Sequence, residues 1–246
     1  MFISRHCDVS GMKSDKKGKN TKKSTWVQSW GKIFLVMAGI LFVGVMIITS
    51  MGTSWLVAMK PAQSGDIAYV DVSLKDELGR TVFTTNQRVF NMSLEKGTLA
   101  VWLAEPMIIR VNDTTMDLVR PVPAYLSISG WDSFAFLGPE YNQMAAGLAG
   151  MKEGETRRIT FVQDPFFQRE LSKEEYTQMG GNFTASQEGD LSIFGFATDT
   201  TISAGNDTPQ YALRTVTLKD KTDTNITVNY GYLGADITIL QLTRSS

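Results

Sequence analysis

The sequence predicts an α+β fold: a membrane-spanning helix near the N-terminus, then an antiparallel sheet with one short helix packed on it. Residues 33–59 carry no charge, and about 20 apolar residues in a helix cross a bilayer. Beyond them, several segments alternate apolar and polar residues as half-buried strands do, whereas one short segment places apolar residues at helical spacing. A short helix among antiparallel strands packs on one face of the sheet.

The charge around the apolar run predicts its orientation. Residues 1–32 contain eight basic and two acidic side chains, and positive charge beside a spanning helix stays in the cytoplasm. We therefore expect a disordered cytoplasmic head (1–32), a signal anchor (33–59) that holds the chain in the bilayer, and an extracellular C-terminal domain. A cleaved signal peptide is the main alternative, but its apolar region is usually 7–15 residues. A buried core helix would not be apolar on every face.

Composition excludes several functions for the part after the span. It contains 16 basic and 23 acidic residues, so no basic surface is expected to bind nucleic acid. His6 and Cys7 are the chain's sole histidine and cysteine. The ectodomain therefore lacks a disulfide, a thiol nucleophile and a histidine base, and the sequence predicts no cofactor and no metal. The basic head could alternatively contact anionic lipid.

Five N-x-[ST] tripeptides follow the span and are candidates for glycosylation: Asn91, Asn112, Asn182, Asn206 and Asn225. Each alone is a weak signal because the tripeptide arises by chance. Their position agrees with an exported domain, where glycans need exposed loops.

The elements of the ectodomain can be placed in order. Residues 67–74 and 81–84 are predicted to form a hairpin around a turn at 76–80 that contains Gly79. Residues 142–151 form the short helix, 157–162 a further strand and 235–242 the last strand, which alternates along its length.

Several motifs in this order resemble the FKBP-type peptidyl-prolyl isomerases. The chain reads Gly-Asp at 65–66 before the first strand, and its most specific match is GLAGMKEGE at 147–155 before the next strand. It then has Asp-Pro-Phe-Phe at 164–167, and LSKEEY at 171–176 is similar to the start of the insert-in-flap module of SlyD-like members. The likeness covers about residues 65–84 and 138–242.

The resemblance implies a half-barrel with an apolar cradle between sheet and helix. The FKBP-like domain would comprise 60–169 and 233–246, and a chaperone-like flap module 170–232. Residues 85–137 exceed the family's usual connection, and we expect them to add strands or a lid because their apolar content excludes a disordered linker.

The cradle needs no acid, base or metal, since a dry aromatic pocket favours the twisted X-Pro amide over the planar one. By resemblance, the catalytic residues are Phe83, Tyr141, Met144 and Phe167, and the substrate-binding residues are Val72, Thr84, Phe166 and Ala235. Several family groups are missing: Thr84 replaces an aspartate, and a phenylalanine replaces the turn tyrosine. Each of these residues could equally be core packing.

Two functions remain from the sequence. The first is a membrane-tethered, extracytoplasmic prolyl isomerase and folding helper whose partners are proline-containing or unfolded polypeptides. The second is a non-catalytic chaperone or surface binding module that kept the scaffold and lost the chemistry.

Overall fold

The computed structural model describes residues 25–50, 60–163, 167–198 and 210–245. The chain divides into two compact units, with the boundary between residues 53 and 54. Within the described residues, the first unit contains one helix and the second contains the sheet.

The helix of the first unit, α1 (Thr25–Ser50), contains most of the uncharged run. Over Trp30–Ser50 its 21 residues are long and apolar enough to cross a bilayer, and none of them is buried in the structure. The helix begins before residue 33, so Lys32 lies within it, and the predicted end at residue 59 lies outside the described residues. A helix able to span a membrane is thus confirmed by length and composition alone.

The second unit is a curled, half-barrel-like mixed sheet with a few helices, which confirms the α+β class. Its described strands are β1 (Ile67–Lys75), β2 (Thr81–Thr84), β3 (Trp102–Ala104), β4 (Met107–Arg110), β5 (Val119–Leu126), β6 (Gly130–Leu137), β7 (Thr156–Thr160), β8 (Gln168–Ser172), β9 (Leu191–Ala197), β10 (Tyr211–Lys221), β11 (Asn225–Asn229) and β12 (Gly234–Thr243). The described helices are α2 (Gln87–Glu95), α3 (Gly138–Gly147) and α4 (Lys173–Gln178). The prediction of one short helix in this unit was therefore wrong.

The predicted β1–β2 hairpin is confirmed. Leu74 pairs with Phe83 across it, and Asp76 Oδ1 accepts hydrogen bonds from the main-chain N–H groups of Leu78 and Arg80. Gly79 has a φ of 75°, which a residue without Cβ adopts freely. Local side-chain and glycine chemistry therefore sets this turn.

The strand order is β7-β12-β1-β2-β3-β5-β6-β10-β11-β8, with β4 also on β1 and β9 also on β10. Most pairs are antiparallel, but β2 pairs with β3 in parallel and β6 meets β10 in parallel at Phe134 and Leu213. The sheet is thus mixed rather than antiparallel as predicted. The reason for the first parallel pair is α2, which carries the chain back between β2 and β3 so that both run in one direction.

The predicted helix at 142–151 begins and ends earlier, at Gly138 and Gly147. Leu148 and Met151 follow it and have no exposed surface, and they share the main hydrophobic core with Val70 and Ile237. The chain reverses at Gly150, whose φ is 76°. The predicted packing of the helical segment against the sheet is confirmed for these side chains.

A second hydrophobic cluster lies entirely within 170–232, the predicted flap module. It consists of Leu171, Tyr176, Phe183, Phe194, Val216, Leu218, Ile226 and Val228. The strands of this region nevertheless continue the same sheet through β10. Its role as a separate module stays a prediction.

Candidate functional site

Most residues of the predicted cradle lie in the hydrophobic core. The fully buried or nearly buried members are Val72, Phe83, Thr84, Met144 and Ala235, each at most 1% exposed. Their side chains contact other core residues, so a bound chain could touch them only after other groups moved away. Their assignment to substrate binding stays a prediction.

The cradle is filled by aromatic side chains from the long segment 85–137. The Phe83 ring lies 4.6 Å from the Phe134 ring and 4.9 Å from the Phe136 ring, measured between centroids. Both rings come from β6, which the sequence left unassigned inside that segment. Residues 85–137 therefore contribute strands to the sheet, and the Phe134 and Phe136 rings fill the space beside Phe83.

The remaining cradle positions differ in exposure. Tyr141 is 3% exposed, and the guanidinium carbon of Arg120 lies 4.5 Å from the centroid of its ring. Phe167 is half-buried, and Phe166 lies outside the described residues. Phe167 is thus the predicted catalytic residue with the most accessible side chain.

Phe167 lines an open apolar cavity of about 430 Å³, which we call the Phe167 cavity. Its other lining residues are Leu118, Val119, Leu137, Pro139, Gln143, Val162, Phe196 and Tyr230. A cavity of this size lies within the range of ligand pockets, which are mostly apolar. It brings together the end of β6, the start of α3, and three aromatic side chains: one within β9, one just before β8 and one just after β11.

The Gln143 side chain in the lining of the Phe167 cavity is already hydrogen-bonded. Gln143 Oε1 accepts a hydrogen bond from the main-chain N–H of Val162 at 2.7 Å, and its Nε2 donates to the Pro139 carbonyl at 3.2 Å. The Phe167 and Phe196 rings both contact the Tyr230 ring, with centroid distances of 5.8 and 5.5 Å. The cavity therefore favours an apolar group, since an unpaired buried polar group costs free energy.

The rim of the cavity is apolar and faces solvent. Leu118 is 71% exposed and Val162 72%. Leu118 ends a strap, residues 112–118, that crosses α3 and is tied to it by Asn142, which exchanges two hydrogen bonds with the main chain of Thr115. Gly138 is required under this strap, because a Cβ there would lie 2.1 Å from the Asp117 carbonyl oxygen.

Two other cavities are less suited to a ligand. One of about 240 Å³ is lined by Lys75 and Arg158, but Lys75 Nζ donates to Thr81 at 2.6 Å and Arg158 forms an ion pair with Asp236 at 2.7 Å. Burial lowers the pKa of Lys75. Another open cavity, of about 570 Å³, has a lining that mixes apolar side chains with polar and charged ones such as Arg80, Lys96 and Asp190. Among the described residues, no three His, Cys, Asp or Glu side chains come together as a metal would require.

The glycosylation candidates lie in different settings. Asn112 is exposed, has a φ of 59° and begins the strap. Asn91 lies in α2, and Asn182 caps a turn by accepting from the Ala185 N–H. Asn225 begins β11 and its amide donates to Glu170 at 2.6 Å, while Asn206 lies outside the described residues. Use of any of them stays a prediction.

Comparison of the chain with protein-family models and with curated proteins gave no match. The FKBP resemblance therefore stays a prediction based on the motifs themselves.

Proposed function

We propose that this protein is a membrane-anchored folding helper that binds apolar segments of unfolded polypeptides in the Phe167 cavity. The observation that carries the proposal is an open cavity whose lining is apolar, whose Gln143 amide is internally bonded, and whose rim exposes Leu118 and Val162. Exposed apolar surface next to a pocket is typical of interaction sites.

The cavity has room for one or two large side chains. The cavity requires of its partner only an apolar side chain on an accessible backbone, and an unfolded polypeptide provides this. The exposed rim would contact the residues next to that side chain. The absence of an ionisable side chain other than Tyr230 among the described lining residues agrees with such broad selection.

We further propose that α1 crosses the membrane with residues 1–24 in the cytoplasm and the sheet unit outside the cell. The basic residues before α1 support this orientation. A tether of this kind would hold the cavity close to chains that emerge from the membrane.

Prolyl isomerisation is the second candidate function. The aromatic pair Phe167 and Tyr230 at the cavity favours it, because a dry aromatic wall can hold a proline ring while the amide twists. Burial of Phe83 and Met144 favours binding without catalysis. Catalysis at this cavity would require Phe167, and Phe83 and Met144 would then only pack in the core.

The test uses the full-length protein in lipid nanodiscs and a fluorescent, reduced and carboxymethylated lactalbumin, which cannot refold. Leu118→Ser and Val162→Ser should each weaken binding at least tenfold, because burying such a side chain contributes about 1.5–3 kcal/mol and about 1.4 kcal/mol is tenfold. Both positions are exposed, so folding should persist.

Trp131→Ser is the matched control, since Trp131 is 68% exposed and does not line the cavity. Equal losses in all three variants would mean non-specific adhesion and would refute the site. A proline-limited refolding assay on the same samples separates the two functions: acceleration that Phe167→Ala abolishes supports the isomerase, and binding without acceleration supports the helper.

A further inference from the structure

Arg214 is a buried charged residue that does not line the Phe167 cavity. It lies in β10 and its side chain is 0% exposed. Each of the three guanidinium nitrogens donates a hydrogen bond to a different segment of the chain. Nε donates to the Tyr230 carbonyl at 2.7 Å, Nη1 to the Ala135 carbonyl at 2.7 Å, and Nη2 to Glu140 Oε1 at 2.5 Å.

Each of these acceptors is a lining residue of the Phe167 cavity or lies within two positions of one along the chain. Tyr230 lines it directly, Ala135 precedes the lining residue Leu137 by two positions, and Glu140 follows the lining residue Pro139. The planar fork of arginine presents its donors in fixed directions. One guanidinium therefore sets the relative positions of β6, the start of α3 and the chain after β11.

The partners of Arg214 are themselves constrained. Glu140 is 1% exposed and its Oε2 accepts from the Leu137 N–H at 3.4 Å. The Tyr232 ring centroid lies 3.9 Å from the guanidinium carbon. The Tyr230 N–H donates to the Phe167 carbonyl at 2.9 Å, so the bond from Arg214 to Tyr230 also bears on the position of Phe167.

We propose that Arg214, paired with Glu140, is the positioning residue of the Phe167 cavity: it holds the cavity open in its binding shape without touching the bound chain. This inference rests on the proposed function. A purely stabilising role is the alternative, and buried ion pairs are often replaceable by apolar residues without loss of stability. Replacing both charges with apolar residues can therefore separate a positioning role from a purely stabilising role.

The decisive variant is the double substitution Glu140→Leu with Arg214→Met, which removes both charges together and leaves no unpaired ion. The Tyr230 and Ala135 carbonyls lose their donor in this variant, so a lower unfolding temperature is expected. If Arg214 positions the cavity, the variant, measured well below its own unfolding temperature, binds the unfolded lactalbumin at least tenfold more weakly. Arg214→Lys is the second variant: it keeps the charge opposite Glu140, but one ammonium cannot reproduce the fork to three separate acceptors, so weaker binding is again expected. Wild-type affinity in the folded double variant would overturn the proposal.

Hydrogen exchange provides a readout that does not depend on a client. The amide of Tyr230 should exchange at least tenfold faster in the double variant, while that of Val111, which donates to the Asp66 carbonyl at 2.8 Å far along the chain, should not change. If the wild type binds no unfolded chain, the proposed function fails, and the exchange ratio still decides the role of Arg214. Equal changes at both amides would refute positioning.

Discussion

Met151→Ala tests whether the segment after α3 is part of the core. Met151 has no exposed surface and belongs to the main hydrophobic cluster with Leu148, Val70 and Ile237. The substitution removes three heavy atoms, worth roughly 2.5 kcal/mol at about 0.8 kcal/mol each. The cavity left behind adds to this loss, so a total of about 3–4 kcal/mol is expected, within the 2–5 kcal/mol range for such changes.

The expected change in melting temperature follows from size. For a unit of this length, 1 kcal/mol shifts the midpoint by about 2–4 °C, so Met151→Ala should lower it by roughly 6–16 °C. Thermal unfolding of the full-length protein in nanodiscs, followed by near-ultraviolet circular dichroism, measures the shift.

Met116→Ala is the matched control, because it deletes the same atoms from a side chain that is 96% exposed. It should change the free energy of unfolding by less than about 0.5 kcal/mol. A loss below about 0.5 kcal/mol in Met151→Ala, or equal losses in the two variants, would show that the segment does not pack against the sheet.

Three further predictions concern stability and topology. Burial alone would raise the pKa of Asp66, but hydrogen bonds from two main-chain N–H groups and from an arginine hold it below its ordinary value of 3.8. The stabilisation that ionised Asp66 contributes is therefore complete above pH 3.8 and is lost as the pH falls through the lower folded pKa. Asp66→Asn should cost about 1–3 kcal/mol at pH 7 and almost nothing once the pH is below that folded pKa. A loss independent of pH in denaturant titrations would contradict this. Gly147→Ala would place a Cβ 2.2 Å from Ile159 Cδ1, so the overpacking cost of about 1–3 kcal/mol should exceed the helical gain of about 1 kcal/mol; a more stable variant would show that Ile159 moves aside freely. In intact cells, Ser64→Cys should react with an impermeant maleimide while Cys7 is protected, and the reverse pattern would refute the orientation.

The parts of the fold that the sequence predicted are those set by local chemistry. The β1–β2 hairpin follows from Asp76 and Gly79, which fix the turn through short-range hydrogen bonds and a positive φ. The helices that were missed also carried local signals: Asn86 caps α2 by accepting from two main-chain N–H groups, and Ser172 and Glu175 form a capping box at α4. Such spacing is recognisable before a structure exists.

The mixed strand order and the filled cradle could not be predicted in the same way. Whether Phe134 and Phe136 pack on Phe83 depends on where β6 lies in the sheet, and alternation alone does not specify a strand's neighbours. Phe167 was found by resemblance. Leu118 and Phe196 line the same cavity only because the strap and β9 are placed next to Phe167 in the fold. The buried Arg214 gave no sequence signal, because its partners, the Glu140 carboxylate and two main-chain carbonyls, are distant along the chain.

The most direct test of the central claim is site-specific photo-cross-linking in membranes. A p-benzoylphenylalanine at position 162, on the cavity rim, should cross-link a bound unfolded chain, and so should one at position 118. The same group at position 131, equally exposed but away from the cavity, should give little product, and excess unlabelled client should abolish the cross-links at 162 and 118. Strong cross-linking at 131 with none at 162 and 118 would contradict the account, since the client would then bind elsewhere.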